Sequence, residues 1–423
     1  MNVCALNQTG SKPTAIIIGG GIIGVTSALN LQKRGFSVTI IDKESIAAGA
    51  TAGNCGLMAV SEIIPISKPG VLAQVPGWLM DSEGPVAIRP WHAIKMIPWL
   101  LRFLHSGKKE NVIRIAQGLT SLSNCAHIAY EPLLRESAIS NLLKPHEVIY
   151  LFDSKSDINH DQFSWDLRRD CGFDTEFLDY EKLHQLEPEI SNTISCGMLM
   201  KGWDYFADPE RLTKTLAQTF VDRGGIVSVD EVVSFNCSSG KIDSLLLSST
   251  KCAFADEYVM ATGAWSKKLA SQLGDFVPVE AMAGYNTTIN DPNVKIKHPL
   301  LYHNGGFVMT PMEMGLRVAG TLELGGLNRK PNYERMRAIT RKAKRILPGL
   351  EVHEKTEWVG YRPMMPDTLP VIGRSMKVSN MTYACGHGQL GITYGAITGE
   401  LVGQIVNKET TSVDLTPFRV DRF

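Results

Sequence analysis

Two glycine loops of the same form stand at opposite ends of this chain. Near the start, Ile16–Ile18 run into Gly19-Gly20-Gly21-Ile22-Ile23-Gly24. Near the end, Met381–Cys385 run into Gly386-His387-Gly388-Gln389-Leu390-Gly391. Each is a G-x-G-x-x-G turn between an apolar, strand-like run and a helix-like run. Glycine permits such a turn and lets a ligand come close to the backbone. The helix after the turn aims free N–H groups and a partial positive charge at that ligand. Two such loops mean either two dinucleotides or one cofactor held at both ends.

The loops differ in the chain that comes after them. Beyond the first, an amphipathic helix from Ile22 to Arg34 stops at Gly35, and a second strand, Ser37–Ile41, ends at Asp42. This is a complete βαβ unit in about 30 residues. A carboxylate 18 residues past Gly24 is placed to accept the hydroxyls of an adenosine ribose and to repel a 2′-phosphate. Gly19, Gly21, Gly24 and Asp42 therefore read as an adenine dinucleotide site. After the second loop and the helix of 392–406, the remaining residues include Asp414 but no apolar strand ending in an acid. The second loop is thus not a full dinucleotide unit, although its helix start still favours an anion. One cofactor spanning both ends suits this better than two. FAD is such a cofactor, with adenosine on the first loop and isoalloxazine elsewhere. Its reduced form gathers negative charge at N1 and O2, which a helix N-terminus stabilises. A purely structural turn is the alternative for the second loop.

The composition is that of a globular chain with ample core: 423 residues, 44% hydrophobic and 20% charged. Length suggests two or three structural units. A formal net charge of zero gives no footprint for nucleic acid. The eight cysteines are scattered with no C-x-x-C pair, so neither a metal site nor a redox disulfide is expected, and reduced thiols in the cytoplasm are. Residues 1–13 are polar and show no secretory pattern. No run reaches the roughly 18 apolar residues of a spanning helix. Trp91–Leu104 comes nearest, with two tryptophans, Lys95, Arg102 and an interrupting Pro98. It reads either as a helix packed inside the protein or as a surface helix in peripheral contact with the cytoplasmic face of an inner membrane.

Between the loops, helices are expected around 91–104 and 109–135, and turns near 183–195. Asp208-Pro209-Glu210 marks a helix start, with Asp as N-cap and Pro in the first turn, running to about Arg223. Strands are expected at Ile226–Val229 and Ala253–Ala261, the latter leading into Thr262-Gly263-Ala264-Trp265. Residues 277–290 and 306–322 read as strands of a second sheet. A basic amphipathic helix over 333–347 ends at Pro348-Gly349 and reads as a solvated face.

The stretches IIIGGGIIGVTSALNLQKRGFSVTIID, ATAGNCG (50–56), YVMATGAWS (258–266), LRVAGTLE (316–323), WVGYRPMMPDTLPVIG (358–373) and CGHGQLGITYGAITG (385–399) carry a family resemblance. So does the tail DLTPFRVDRF. Together they resemble the FAD-dependent D-amino acid oxidase superfamily, and most of all its bacterial D-amino acid dehydrogenases of the small-subunit type. The resemblance implies an α/β fold in which a Rossmann-like FAD-binding domain (14–60, 195–275 and 355–423) is interleaved with an α+β substrate domain (61–194 and 276–354). It implies that Gly19, Gly21, Ile22, Ile23 and Gly24 lie on the pyrophosphate, and Asp42 and Lys43 at the adenosine ribose. Thr51, Asn54, Cys55 and Gly56 would pass near the flavin and pyrophosphate, and Val232 or Val233 would touch the adenine. Thr262, Gly263 and Trp265 would form a second FAD-contacting turn. Gly388, Gln389, Leu390, Gly391, Ile392 and Thr393 would meet the pyrimidine end of the flavin.

The same resemblance assigns the substrate carboxylate to Arg362, in Gly360-Tyr361-Arg362-Pro363. An arginine fork suits it because it bonds both oxygens. The alternative is a structural arginine paired with Asp367 or Glu357. Met365 stands where the eukaryotic oxidases carry a second arginine. The implied reaction is oxidative deamination: the α-hydrogen leaves as hydride to flavin N5, and the imino acid hydrolyses to a 2-oxo acid. The enzyme's share is orientation and exclusion of water. His387 would either tune the flavin or touch substrate, or else be structural, and Tyr285 is a candidate substrate contact. Ala283 replaces a basic residue of relatives, which makes a cyclic D-amino acid such as a hydroxyproline isomer an alternative to D-alanine. Neither Cys55 nor Cys385 matches an attachment position, so non-covalent FAD is expected. Electrons would pass to a quinone or an electron-transfer carrier. The competing readings are a glycine- or sarcosine-type oxidase using oxygen, and a non-enzymatic NAD-binding sensor.

Overall fold

In a computed structural model, which describes residues 12–71, 84, 86–327 and 330–423, the apolar run Thr14–Ile18 lies inside a six-stranded sheet. The order is Ile226–Val229, Ser37–Asp42, Thr14–Ile18, Glu257–Met260, Met381–Cys385 and Val371–Arg374. The first five strands are parallel and the last is an antiparallel edge. Parallel strands need cover on both faces, which is why this run is apolar from Ala15 to Ile18. Ala15 and Ile17 enter one core, with Val25, Leu29, Ile397 and Leu401 from two helices. Ile16 and Ile18 enter another, with Val232, Leu245 and Leu269 on the opposite face.

The two helices that open from the glycine loops, Ile22–Lys33 and Gly391–Val406, pack against each other. Small residues make this approach. A Cβ added at Gly395 would lie 2.8 Å from Ile22, and one at Gly399 would lie 2.5 Å from the Thr26 backbone. Thr26 Oγ1 donates to the Gly395 carbonyl at 2.7 Å. The opposite ends of the chain are thereby held side by side.

A nine-stranded sheet forms the second layer. It runs Lys355–Met364, Glu280–Ile289, Gly315–Leu324, Phe307–Met312, Leu300–Tyr302, Val148–Phe152, Cys196–Met200 and Thr175–Leu178, with Val86–Ile88 added beside Gly315–Leu324. The Tyr333–Ile346 helix lays Met336, Ile339, Ala343 and Ile346 on it and turns its basic side outward. Sheet membership differs at two points from the expected segments 195–275 and 355–423. Cys196–Met200 and Lys355–Met364 pair into the nine-stranded sheet, not the nucleotide sheet. Cys196–Met200 is a short apolar strand and Lys355–Met364 a ten-residue strand whose partner Glu280–Ile289 lies far away in sequence, so local pattern assigns neither to a sheet.

Elsewhere, the Asp208 side chain accepts from the Arg211 N–H at 2.9 Å and starts the Pro209–Asp222 helix as expected. Two long helices, Pro90–Ser106 and Lys109–Glu136, each tolerate an internal proline. Among the described residues no helix is long and apolar enough to cross a membrane.

Candidate active site

One cavity of about 430 Å³ is lined from both ends of the chain. At one end stand Asp42, Lys43 and Glu44, with Asp230, Val232 and Val233 from the neighbouring strand's exit. Gly19, Gly21, Ile22 and Ile23 form its floor, faced by Thr51, Asn54, Thr262 and Gly263. Tyr361, Pro363, His387, Gly388, Gly391 and Ile392 close the other end. The Lys43 ammonium lies 3.9 Å over the Trp265 ring and ties two of these walls together.

The first loop is built for close approach. Gly19 has φ +114°, and a Cβ there would lie 2.4 Å from the Ala261 carbonyl oxygen. A Cβ on Gly21 would meet only Thr51 Oγ1, at 3.4 Å, so its open side faces the cavity. The Ile22–Lys33 helix has no acid in its first turn and no cap from its N-cap residue; the Ile22 N–H donates to Thr51 Oγ1 at 3.2 Å, which leaves the Ile23 and Gly24 amides to an anion. The Asp42 carboxylate is held in place by the Gly20 N–H (2.6 Å) and the Glu44 N–H (2.8 Å). With Glu44 and Asp230 beside it, this rim opposes a 2′-phosphate. The Gly391–Val406 helix at the far end likewise has no side-chain cap and no first-turn acid.

Several residues expected on the cofactor lie behind the wall, not in it. Gly24 serves packing: its Cβ would sit 1.9 Å from the Gly19 carbonyl oxygen. Gly56, at φ +74°, passes over the Phe206 carbonyl, with 2.1 Å left for a Cβ. The thiol of Cys55 is buried beside Arg317 and Arg362, and burial raises its pKa. Gln389 points to solvent and Leu390 into the core. Thr393 Oγ1 accepts from the Ala59 N–H and donates to the Leu57 carbonyl, both at 3.1 Å, fixing the chain beyond Gly56.

The substrate side is set by strand register. Met282 pairs with Arg362, Gly284 with Gly360 and Asn286 with Trp358, so these six share one face. That face meets the Thr51–Gly56 loop. Asn286 Nδ2 donates to the Gly53 carbonyl at 2.9 Å, and Arg317 Nη1 donates to the carbonyls of Ala52 (2.9 Å) and Asn54 (2.6 Å). The Trp358 ring covers both Gly53 and Gly360, where any Cβ would collide with it.

Arg362 lies over Gly284, whose Cβ would be 2.3 Å from Nη1. Among the described residues its one hydrogen bond runs from Nη1 to the Thr321 carbonyl, at 2.8 Å. Thr321 presents that carbonyl from a left-handed conformation, φ +57°, at a register shift in the strand pair. Among the described residues no carboxylate pairs with Arg362. The two alternative partners are occupied: Asp367 binds Arg422 and Glu357 binds Lys355. Burial pulls the Arg362 pKa below its usual value, partly offset by Cys55.

The other two candidate catalytic residues are already engaged. Tyr285 is on the opposite face of its strand, in the core under the Tyr333–Ile346 helix. Its hydroxyl donates to Glu323 Oε2 at 2.5 Å and accepts from the Asn332 N–H, and burial with the Glu323 bond pushes its pKa up to about 12. It is a structural residue and not a substrate contact. His387 lines the cavity, but its Nε2 is 2.9 Å from Thr398 Oγ1, and burial lowers its pKa to about 3. It is an uncharged wall of the site at neutral pH. Trp358, Arg317 and Gly284 escaped sequence reasoning. For Trp358 and Gly284 a signal existed: even spacing from Arg362 along a strand, and position next to Tyr285 on the alternate face.

The chain matches a protein family described as FAD dependent oxidoreductase over residues 14–405. A D-amino-acid oxidase of Bradyrhizobium diazoefficiens is 32% identical over 96% of this chain and 98% of its own length. A D-amino acid dehydrogenase of Allorhizobium ampelinum is 28% identical over the same shares of each chain. Among solved structures, glycine oxidase from Geobacillus kaustophilus superposes with a TM-score of 0.75 at 20% identity, covering 97% of this chain and 99% of its own. L-proline dehydrogenase from P. horikoshii gives 0.74 at 20% identity, covering 98% of each. These two likenesses are of fold. The match along nearly the whole chain, on a cavity lined by both glycine loops, shows that the protein belongs to the FAD-dependent oxidoreductase family and is a flavoenzyme.

Proposed function

We propose that the protein oxidises the CH–NH2 bond of a small, apolar D-amino acid and passes the electrons to a quinone or an electron-transfer carrier. The observation that carries this reading is Arg362: a partly buried guanidinium with one protein hydrogen bond and no carboxylate partner among the described residues. A cation drawn partly out of water and left in that state is unfavourable, and a carboxylate ligand relieves this with a two-point bond. Its chain neighbours Tyr361 and Pro363 line the end of the cavity formed by the second glycine loop, and Arg362 stands on the other face of that strand, outside the cavity lining.

FAD, the family's cofactor, removes the NAD-sensor alternative, and this cavity fits it. Gly19, Gly21 and Ile23 would hold the pyrophosphate, Asp42 the ribose, and Gly388, Gly391 and Ile392 the flavin ring. When bound it supplies the acceptor for the two electrons and the α-hydrogen of the substrate. The remaining work falls to the chain. Arg362 fixes the carboxylate, Gly284 and Gly360 leave room beside it, and the Gly391–Val406 helix start favours negative charge at the adjoining ring. No charged base is needed, in keeping with a neutral His387. Met282 and Met364, on the Arg362 face, and Trp99 packed on them give the substrate side chain an apolar surround. Burial raises the pKa of Cys55 and pushes that of Cys385 up to about 11, which makes both poor nucleophiles and favours non-covalent FAD.

Ala283, the residue behind the cyclic-substrate alternative, faces the core with Tyr285 and away from Arg362. D-alanine-like substrates are therefore preferred over a hydroxyproline isomer. Anaerobic mixing of the holoenzyme with D- and L-amino acids, glycine and sarcosine tests this. Small apolar D-amino acids should bleach the flavin. Bleaching by L-amino acids or sarcosine alone would overturn it. Re-oxidation by a quinone analogue faster than by oxygen is expected.

A further inference from the structure

We propose that the outer face of the Pro90–Ser106 helix docks on an anionic lipid surface. This inference goes beyond the substrate assignment and does not depend on it. The inner face of the helix places Met96 and Trp99 against Met282, Leu324 and Met364. The opposite face carries Ile94, Ile97, Leu101 and Leu104, which remain between 37% and 63% exposed. Their spacing puts all four within about a quarter turn of the helix. Exposed Phe276 lies beside them, under the Arg102 guanidinium at 4.9 Å.

Charge identifies the occupant. From residue 84 to residue 109 the sequence has no Asp or Glu, yet it carries Arg89, Lys95, Arg102, Lys108 and Lys109, in a chain of zero net charge. Arg89 is paired with Glu323. Lys95, Arg102 and Lys108 meet no carboxylate among the described residues. Lys95 and Arg102 lie along one side of the apolar stripe and Lys108 stands just past its end. An apolar stripe bordered by cations matches acyl chains bordered by phosphates. A two-fold contact with a second copy would instead oppose these cations to each other, with no acid on the helix to answer them. The helix cannot cross the bilayer, so it would lie in the surface. Its first turn is clamped to the Arg362-bearing sheet by Arg89–Glu323 and by His92–Glu280, at 2.6 and 2.7 Å. Docking would therefore present the substrate side of the enzyme to the membrane as one rigid unit.

Sedimentation of the FAD-loaded protein with vesicles tests the proposal. It should pellet with phosphatidylcholine vesicles containing phosphatidylglycerol, much less with phosphatidylcholine alone, and less as salt is raised. Ile97→Glu/Leu101→Glu should abolish pelleting. Lys95→Ala/Lys108→Ala should weaken it by about fivefold per charge removed. Both variants should keep their FAD and their turnover with a soluble dye. Failure of the wild-type protein to pellet with anionic vesicles would overturn the proposal, as would unchanged pelleting of both variants. A fall in oligomer mass in Ile97→Glu/Leu101→Glu, with no vesicle binding by the wild type, would assign the face to a second copy instead.

Discussion

The two glycine loops share a pattern, yet their third glycines do different things. At Gly24 a side chain would stand 1.9 Å from the Gly19 carbonyl oxygen, so helix and strand are pressed together there. At Gly391 the nearest atom to an added Cβ is 3.9 Å away. The first loop is a packing device and a ligand cradle at once, and Asp42 completes it. The second is only a cradle: a helix start opened toward the cavity with no strand-end acid to complete it. The motif alone therefore does not define a nucleotide site. What makes the two loops one site is the contact between their helices through Gly395 and Gly399. That contact aims two N-termini at one cavity.

This contrast can be broken most forcefully at Gly24. Gly24→Ala forces a Cβ onto a backbone oxygen, and overpacking of this kind costs about 3 kcal/mol or more. The variant should lose FAD and melt far earlier in calorimetry. A holoenzyme of normal Tm would refute the close-packing role. Next in size is Arg362→Met. It should lower kcat/KM for amino acids by a factor equivalent to about 2–5 kcal/mol, while the flavin spectrum stays unchanged. Unaltered substrate saturation would remove Arg362 from the site.

The pH dependence separates the wall of the cavity from its chemistry. Burial lowers the His387 pKa to about 3. Above pH about 6.5 the residue is neutral both folded and unfolded, so its contribution to stability is complete there. As pH falls below that value the unfolded chain takes up a proton that the folded protein refuses. Stability should then decline by about 1.4 kcal/mol per pH unit until about pH 3. Denaturant melts at several pH values would read this slope, and His387→Gln should flatten it. A smaller effect is expected for Gly284→Ala, whose Cβ would displace the Arg362 guanidinium. The KM should rise about tenfold, near 1.4 kcal/mol of overpacking, with kcat less affected. The smallest belongs to Gly391→Ala in the apoprotein, where the Cβ makes an ordinary 3.9 Å contact with His387 and Tm should move by less than about 1 kcal/mol equivalent. Equal damage at Gly24 and Gly391 would erase the distinction between the loops.

Much of this was legible in the sequence because it is local. The strand, glycine turn, helix, second strand and Asp42 are contiguous, and each has its own physical signature. The Asp208 cap is equally local. Arg362 could be named, but its isolation could not. That depends on Asp367 and Glu357 being taken by Arg422 and Lys355, which only the folded chain decides. Tyr285 and Gly284 show the limit most clearly. Tyr285 stood out because it has a polar group to offer, yet strand alternation sends Tyr285 to the core and Gly284 to Arg362. Which parity faces the site is set by register with Lys355–Met364, a strand about 75 residues away whose membership in that sheet no local pattern announces. Arg317 likewise donates to Thr288 Oγ1 on the next strand and to carbonyls of a loop more than 260 residues distant.

Titration of the apoprotein with FAD tests the central claim most directly. If both loops hold one cofactor, the titration ends at one FAD per chain, and the saturated protein binds no further ADP or NAD. Uptake of a second dinucleotide by the FAD-saturated chain would contradict it.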